Sequence, residues 1–61
     1  MKALFNTVDS ELVNRNNNIV KIIRPLNNNE ADIEDVGIMY KIKFTDGFIT
    51  DAFEDELYFL N

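Results

Sequence analysis

Residues 37–53, GIMYKIKFTDGFITDAF, constrain the fold more than any other run in the chain. They alternate like a strand, break at Thr45-Asp46-Gly47, and alternate again. Asp-Gly between two such runs is a strong short-range hairpin signal. A type I turn over Thr45-Asp46, with Gly47 as the left-handed bulge residue, sets Phe44 opposite Phe48. Counting outward, Lys43 faces Ile49, Ile42 faces Thr50, Lys41 faces Asp51 and Tyr40 faces Ala52. One face then carries Tyr40, Ile42, Phe44, Phe48, Thr50 and Ala52. The other carries Lys41, Lys43, Ile49 and Asp51. A plain two-residue loop would pair Phe44 with Ile49 and mix the faces, so the bulged register is preferred.

The rest of the chain supplies further short strands. Lys2–Phe5 reads as one, and Ile19–Arg24, rich in β-branched residues, as another. Between them Asp9 is placed to cap a turn starting at Ser10, and Asn14–Asn18 is a turn cluster whose asparagines tolerate left-handed backbone. Pro25, which has no amide hydrogen for a ladder, ends the second strand. Residues 26–36 form a long connection. One helical turn is expected over Glu30–Asp35, capped by Asn29 and stopped by Gly37, with Leu26, Ile33 and Val36 pinning it to the core. Phe53–Leu57 is too acidic and short for a strand and suits a 3₁₀ turn. Tyr58–Leu60 returns as a strand. The reading is all-β, with strands near 2–5, 19–24, 38–44, 48–53 and 58–60. The expected buried set is Val20, Ile22, Tyr40, Ile42, Phe44, Phe48 and Leu57.

A chain of 61 residues is one domain, 1–61. A domain of this size buries only ~60% of the surface its unfolded chain exposes, so its stability is marginal. With no Cys and no His, neither a disulfide nor an imidazole-held metal reinforces it. Its stability rests on a small apolar core, helped by association with a copy or a partner. Met1-Lys2 begins like an export signal, but the apolar run Ala3–Phe5 stops at Asn6. With no cysteine either, a cytoplasmic location is expected, with no membrane contact.

These elements together resemble a small five-stranded SH3-like barrel, with a long first loop and a 3₁₀ turn before the closing strand. More narrowly, Val20–Leu57 is similar to small SH3-like domains of Gram-positive bacteria and their mobile elements. The residues carrying the likeness are Ile23–Leu26, Glu30–Asp32, Asp35–Gly37, Met39-Tyr40, Phe44, Asp46-Gly47 and Phe53–Leu57. The resemblance implies a fold and an origin, and brings no catalytic or ligand residue with it. SH3-like barrels recognise proteins, peptides and nucleic acids alike, so the fold leaves function open. The chain has no Trp and lacks the paired tyrosines of a polyproline groove.

Composition narrows the function classes. One Ser, no Cys and no His leave no Ser–His or Cys–His pair for nucleophilic or acid–base chemistry, so an enzyme is not expected. No cofactor, metal or small-molecule substrate is implied either. Two acidic clusters occur: Glu30, Asp32, Glu34 and Asp35, then Asp51, Glu54, Asp55 and Glu56. Neither has the spacing of a calcium loop, and they read as solvated loops or as a patch for a basic protein. Net charge is −5, from 11 acidic and 6 basic residues. That opposes general phosphate binding, which is driven by cations. Lys21, Lys41 and Lys43 form a basic stripe if their strands adjoin, with Arg24 near one end. That stripe serves either a partner or cross-strand pairing, such as Lys41 with Asp51. Ile23, Ile49 and Phe53 fall on the outward phase. They are either an exposed contact patch or a second small core under the N-terminal segment.

The leading expectation is therefore a non-enzymatic protein-interaction domain, bound to another protein or to a copy of itself through Ile23, Ile49, Phe53, Lys41 and Lys43. The alternatives are a nucleic-acid-associated barrel using the lysines, and an acidic mimic of DNA. A nucleic-acid binder requires the lysines contiguous and unpaired. A mimic requires the acids spaced along one face.

Overall fold

The computed structural model describes residues 1–60. Five strands, β1 (Lys2–Phe5), β2 (Asn18–Pro25), β3 (Met39–Lys43), β4 (Ile49–Phe53) and β5 (Leu57–Leu60), form one antiparallel sheet in the order β4-β3-β2-β1-β5. A 3₁₀ turn at Val13–Arg15 precedes β2, one helical turn (α1, Ile33–Val36) precedes β3, and a second 3₁₀ turn at Glu54–Glu56 joins β4 to β5. The sheet ends at β4 and β5, which no ladder joins.

The hairpin has the register its sequence predicts. Met39 lies opposite Phe53, Tyr40 opposite Ala52, Lys41 opposite Asp51, Ile42 opposite Thr50 and Lys43 opposite Ile49. The Phe44 amide donates to the Phe48 carbonyl (2.9 Å) and the Gly47 amide to the Phe44 carbonyl (3.0 Å). Gly47 has φ +94°, a conformation that glycine adopts without steric cost. Asn17, in the asparagine-rich turn, is also left-handed (φ 69°).

One face of the sheet is the core. Ala3, Phe5, Val20, Ile42, Phe44, Ala52 and Leu57 form a buried cluster, with Leu12, Ile22 and Tyr40 packed half-buried against it. Phe5 meets Phe44 edge to face, ring centroids 5.1 Å apart. Four of the expected core residues, Val20, Ile42, Phe44 and Leu57, are buried. Ile22 and Tyr40 are only half-buried. Ile22 adjoins a bulge between Ile22 and Arg24, and Tyr40 lies near the start of β3, edge to face with Phe59.

Phe48, expected inside, is 39% exposed. It follows the turn and sits beyond the end of the core. Its ring lies beside Phe44 (5.9 Å) and is covered by the Arg15 guanidinium, 4.2 Å from its centroid. A cation over an aromatic face is attracted by the ring quadrupole. Asp46 holds Arg15 there (3.1 Å). The Phe48 amide, donating to Asp46 Oδ1, and then Arg15 lower the Asp46 carboxyl from its ordinary range.

The long connection is anchored by Leu26, which is buried, while Ile33 is half-buried and Val36 is exposed. Asn29 does not cap the helix. Instead Asn27 closes a separate turn, its side chain accepting from the Asn29 amide and its carbonyl from those of Glu30 and Ala31. α1 starts after Asp32 and stops at Gly37 (φ 83°). The first-loop expectation holds in part. The Asp9 side chain accepts from the Glu11 amide (2.9 Å), but the 3₁₀ turn begins later, at Val13.

Arg24 grips Glu30 with both terminal nitrogens (2.6 and 2.5 Å). That grip, with the Asn27 amide, lowers the Glu30 carboxyl from 4.5 to about 2. A carboxyl lowered on folding contributes stability above its unfolded value and loses it as pH falls toward the folded one. The clamp is thus complete above pH 4.5 and opens as pH falls to about 2. A side-chain carbon NMR titration is expected to show Glu30 titrating near the lower value, and Arg24→Ala to move it back toward 4.5.

Candidate interaction face

The pleat sends alternate residues of each strand to the face opposite the core. On β4 these are Ile49, Asp51 and Phe53, and on β3 Met39, Lys41 and Lys43. The observed pairing brings them together. Lys43 lies directly opposite Lys21 of β2, and Lys41 opposite Arg24. The lysine stripe suspected from the sequence is therefore contiguous across the two strands.

Its members differ in their partners. Lys41 reaches Asp51 (3.3 Å), and Arg24 is held by Glu30. Arg15, away from the stripe, is held by Asp46. Among the described residues, Lys21, Lys43 and Lys2 make no ion pair. Lys2 belongs to the same row, opposite Lys21 on the other side. It was not read from the sequence as part of the stripe, because only the β1–β2 register places it there.

Ile23, Ile49 and Phe53 are all exposed, at 41%, 49% and 39%. They do not form one apolar patch. Ile49 and Phe53 stand at opposite ends of β4 with the Lys41–Asp51 pair between them. Ile23 is the extra residue of the β2 bulge. Phe53 lines a hollow with Asn6, Val8 and Leu12 from the first loop, so the N-terminal segment approaches that residue. Ile19 (47% exposed) and Tyr58 (71%) add apolar surface that the sequence reading did not single out. Each lies opposite Leu4 on this face.

Glu56 ties the first loop to the second 3₁₀ turn. Its carboxylate accepts from the Thr7 hydroxyl and from the Phe53 amide (2.8 Å), and its carbonyl accepts from the Asn6 amide (2.9 Å). Thr7 is 7% exposed and exchanges two hydrogen bonds with the Asn16 side chain. Glu30, Asp46, Asp51 and Glu56 are each bonded within the fold. Among the described residues no group of three acidic side chains is arranged to hold a metal ion, and no helix is long and apolar enough to cross a membrane.

No family model matches the chain, and neither a curated protein nor a solved structure matches it.

Proposed function

We propose that the chain is an SH3-like barrel that works as a non-enzymatic protein-interaction module, an accessory protein of a bacterium or mobile element acting in the cytoplasm, and that it binds through the sheet face opposite its core. Support for the fold comes from the strand order β4-β3-β2-β1-β5, the long first loop and the 3₁₀ turn before β5. The origin rests on the resemblance of Val20–Leu57 described above.

The observation that carries the function is the composition of the outer face. Ile19, Ile23, Ile49 and Tyr58 are exposed there around lysines that lack partners among the described residues. Apolar side chains left in water on a small domain gain most from a second protein surface. Against nucleic acid stands the net charge of −5. Long-range repulsion opposes a polyanion and leaves a short protein segment less affected.

A photo-crosslinking amino acid at position 49 tests this, with the same group at Glu34 on the helical turn as the control. A discrete protein adduct is expected from position 49 alone, and Ile23→Lys is expected to weaken it. A position 49 that captures nothing, or that captures the same broad set as position 34, overturns the reading.

A further inference from the structure

The register defines a row that crosses the whole sheet. Ile49 pairs with Lys43, Lys43 with Lys21, Lys21 with Lys2, and Lys2 with Leu60. Each strand contributes one residue, three cations in the middle and an apolar side chain at each end. Like charges directly opposite each other destabilise a sheet. Here the three basic side chains without an ion-pair partner among the described residues are the three placed side by side. The same lysines line a groove of about 280 Å³ with Ile19, Val20, Phe44 and Thr45.

We propose that this row is a docking site for an extended protein segment that turns two carboxylates, flanked by apolar side chains, toward the sheet on one of its faces. The inference rests on the interaction reading above and names the partner's chemistry. Charge complementarity supplies the first argument: the face is locally cationic on a chain of net charge −5, so an acidic segment is attracted only where the lysines cluster. Spacing supplies the second. Adjacent strands lie ~4.8 Å apart, so three lysine backbones span roughly 10 Å, and same-side residues of an extended segment recur every ~6.7 Å. Two carboxylates of one segment therefore fit within the row, each shared between neighbouring ammonium groups. The third is the apolar border. Ile49, Ile19 and Tyr58 are exposed around the row, which suits a segment bearing apolar side chains on the same face as its carboxylates and serves a phosphate backbone poorly.

The experiment is an NMR titration of the labelled full chain with three probes: a peptide Val-Ser-Glu-Ser-Glu-Ser-Val, whose valines and glutamates share one face when extended, its glutamine counterpart, and an oligothymidylate. The glutamate peptide is expected to shift Lys2, Ile19, Lys21, Lys43 and Ile49. The glutamine peptide is expected to bind at least 10-fold more weakly. Lys21→Glu is expected to weaken the glutamate peptide at least 10-fold without lowering the melting temperature, because it sets opposite charges across both adjacent strands. Equal binding of the two peptides, or no shift along the row at saturating peptide, overturns the proposal. Tighter binding of the oligothymidylate, with steep salt dependence, assigns the row to nucleic acid instead. Shifts along the row that grow with protein concentration alone assign it to a second copy. Crosslinking from position 49 that succeeds while the peptide fails leaves the interaction reading intact and removes only this partner.

Discussion

Phe44→Ala is expected to lower the unfolding free energy by about 3–5 kcal/mol, the range for removing a large buried aromatic. Phe44 is 3% exposed, at the hairpin end of the core, and touches both Phe5 and Phe48. Two losses add. The ring's transfer from water is forfeited, and the space it leaves is lined by Phe5, which no longer has an edge-to-face partner. The Arg15 guanidinium, 4.8 Å from the Phe44 ring, also loses part of the surface it covers. A domain this small commonly has little more stability than that to lose, so the variant is expected to be largely unfolded at 37 °C. Urea unfolding followed by circular dichroism checks it. A cooperative transition near the wild-type midpoint would mean that the ring is not core.

Phe5→Ala comes second in size, again about 3–5 kcal/mol. Phe5 has no exposed surface and lies opposite Leu57 in the β1–β5 ladder. Because Phe5 and Phe44 touch, their effects are not independent. In a double-mutant cycle the pair is expected to show a coupling of about 0.5–1.5 kcal/mol, the usual worth of an aromatic pair beyond its buried area. Where the single variants are too unstable to measure, Phe5→Leu and Phe44→Leu supply the cycle.

These two phenylalanines also show what was legible in the chain. Phe44 lies in a period-two run closed by Asp46-Gly47, and such a pattern fixes both register and face. Every predicted pair from Tyr40–Ala52 to Lys43–Ile49 is observed. Phe5 lies in a strand of four residues whose two phases both contain apolar side chains. That strand was legible as a strand, but the face it buries depends on pairing with β2 and β5. The misplacement of Phe48 has a similar cause. Its phase is inward, but it sits past the last core layer, where Arg15 covers it. No local pattern announces that contact, made across a long stretch of chain.

The candidate site divides along the same line. Lys21 and Lys43 were visible as a stripe conditional on their strands adjoining, and they adjoin. Lys2 and Leu60 complete the row only through the pairing of β1 with β2 and β5. The exposure of Ile23, Ile49 and Phe53 was anticipated as one of two possibilities. That Lys41 and Asp51 would separate Ile49 from Phe53 follows from register already in hand.

The position of β1 between β2 and β5 bears on how the protein is made. Residues 2–5 leave the ribosome well ahead of residues 57–60, with which one of their two ladders is formed. Until those emerge, Phe5 lacks Leu57 above it, and the β1 edge presents unpaired amides and carbonyls. The hairpin can form on its own within microseconds, but the pairing that completes the sheet is the most distant in sequence, and distant pairing is slow. The nascent chain is therefore expected to carry an open, apolar edge until residues 57–60 emerge, and to complete its core only then.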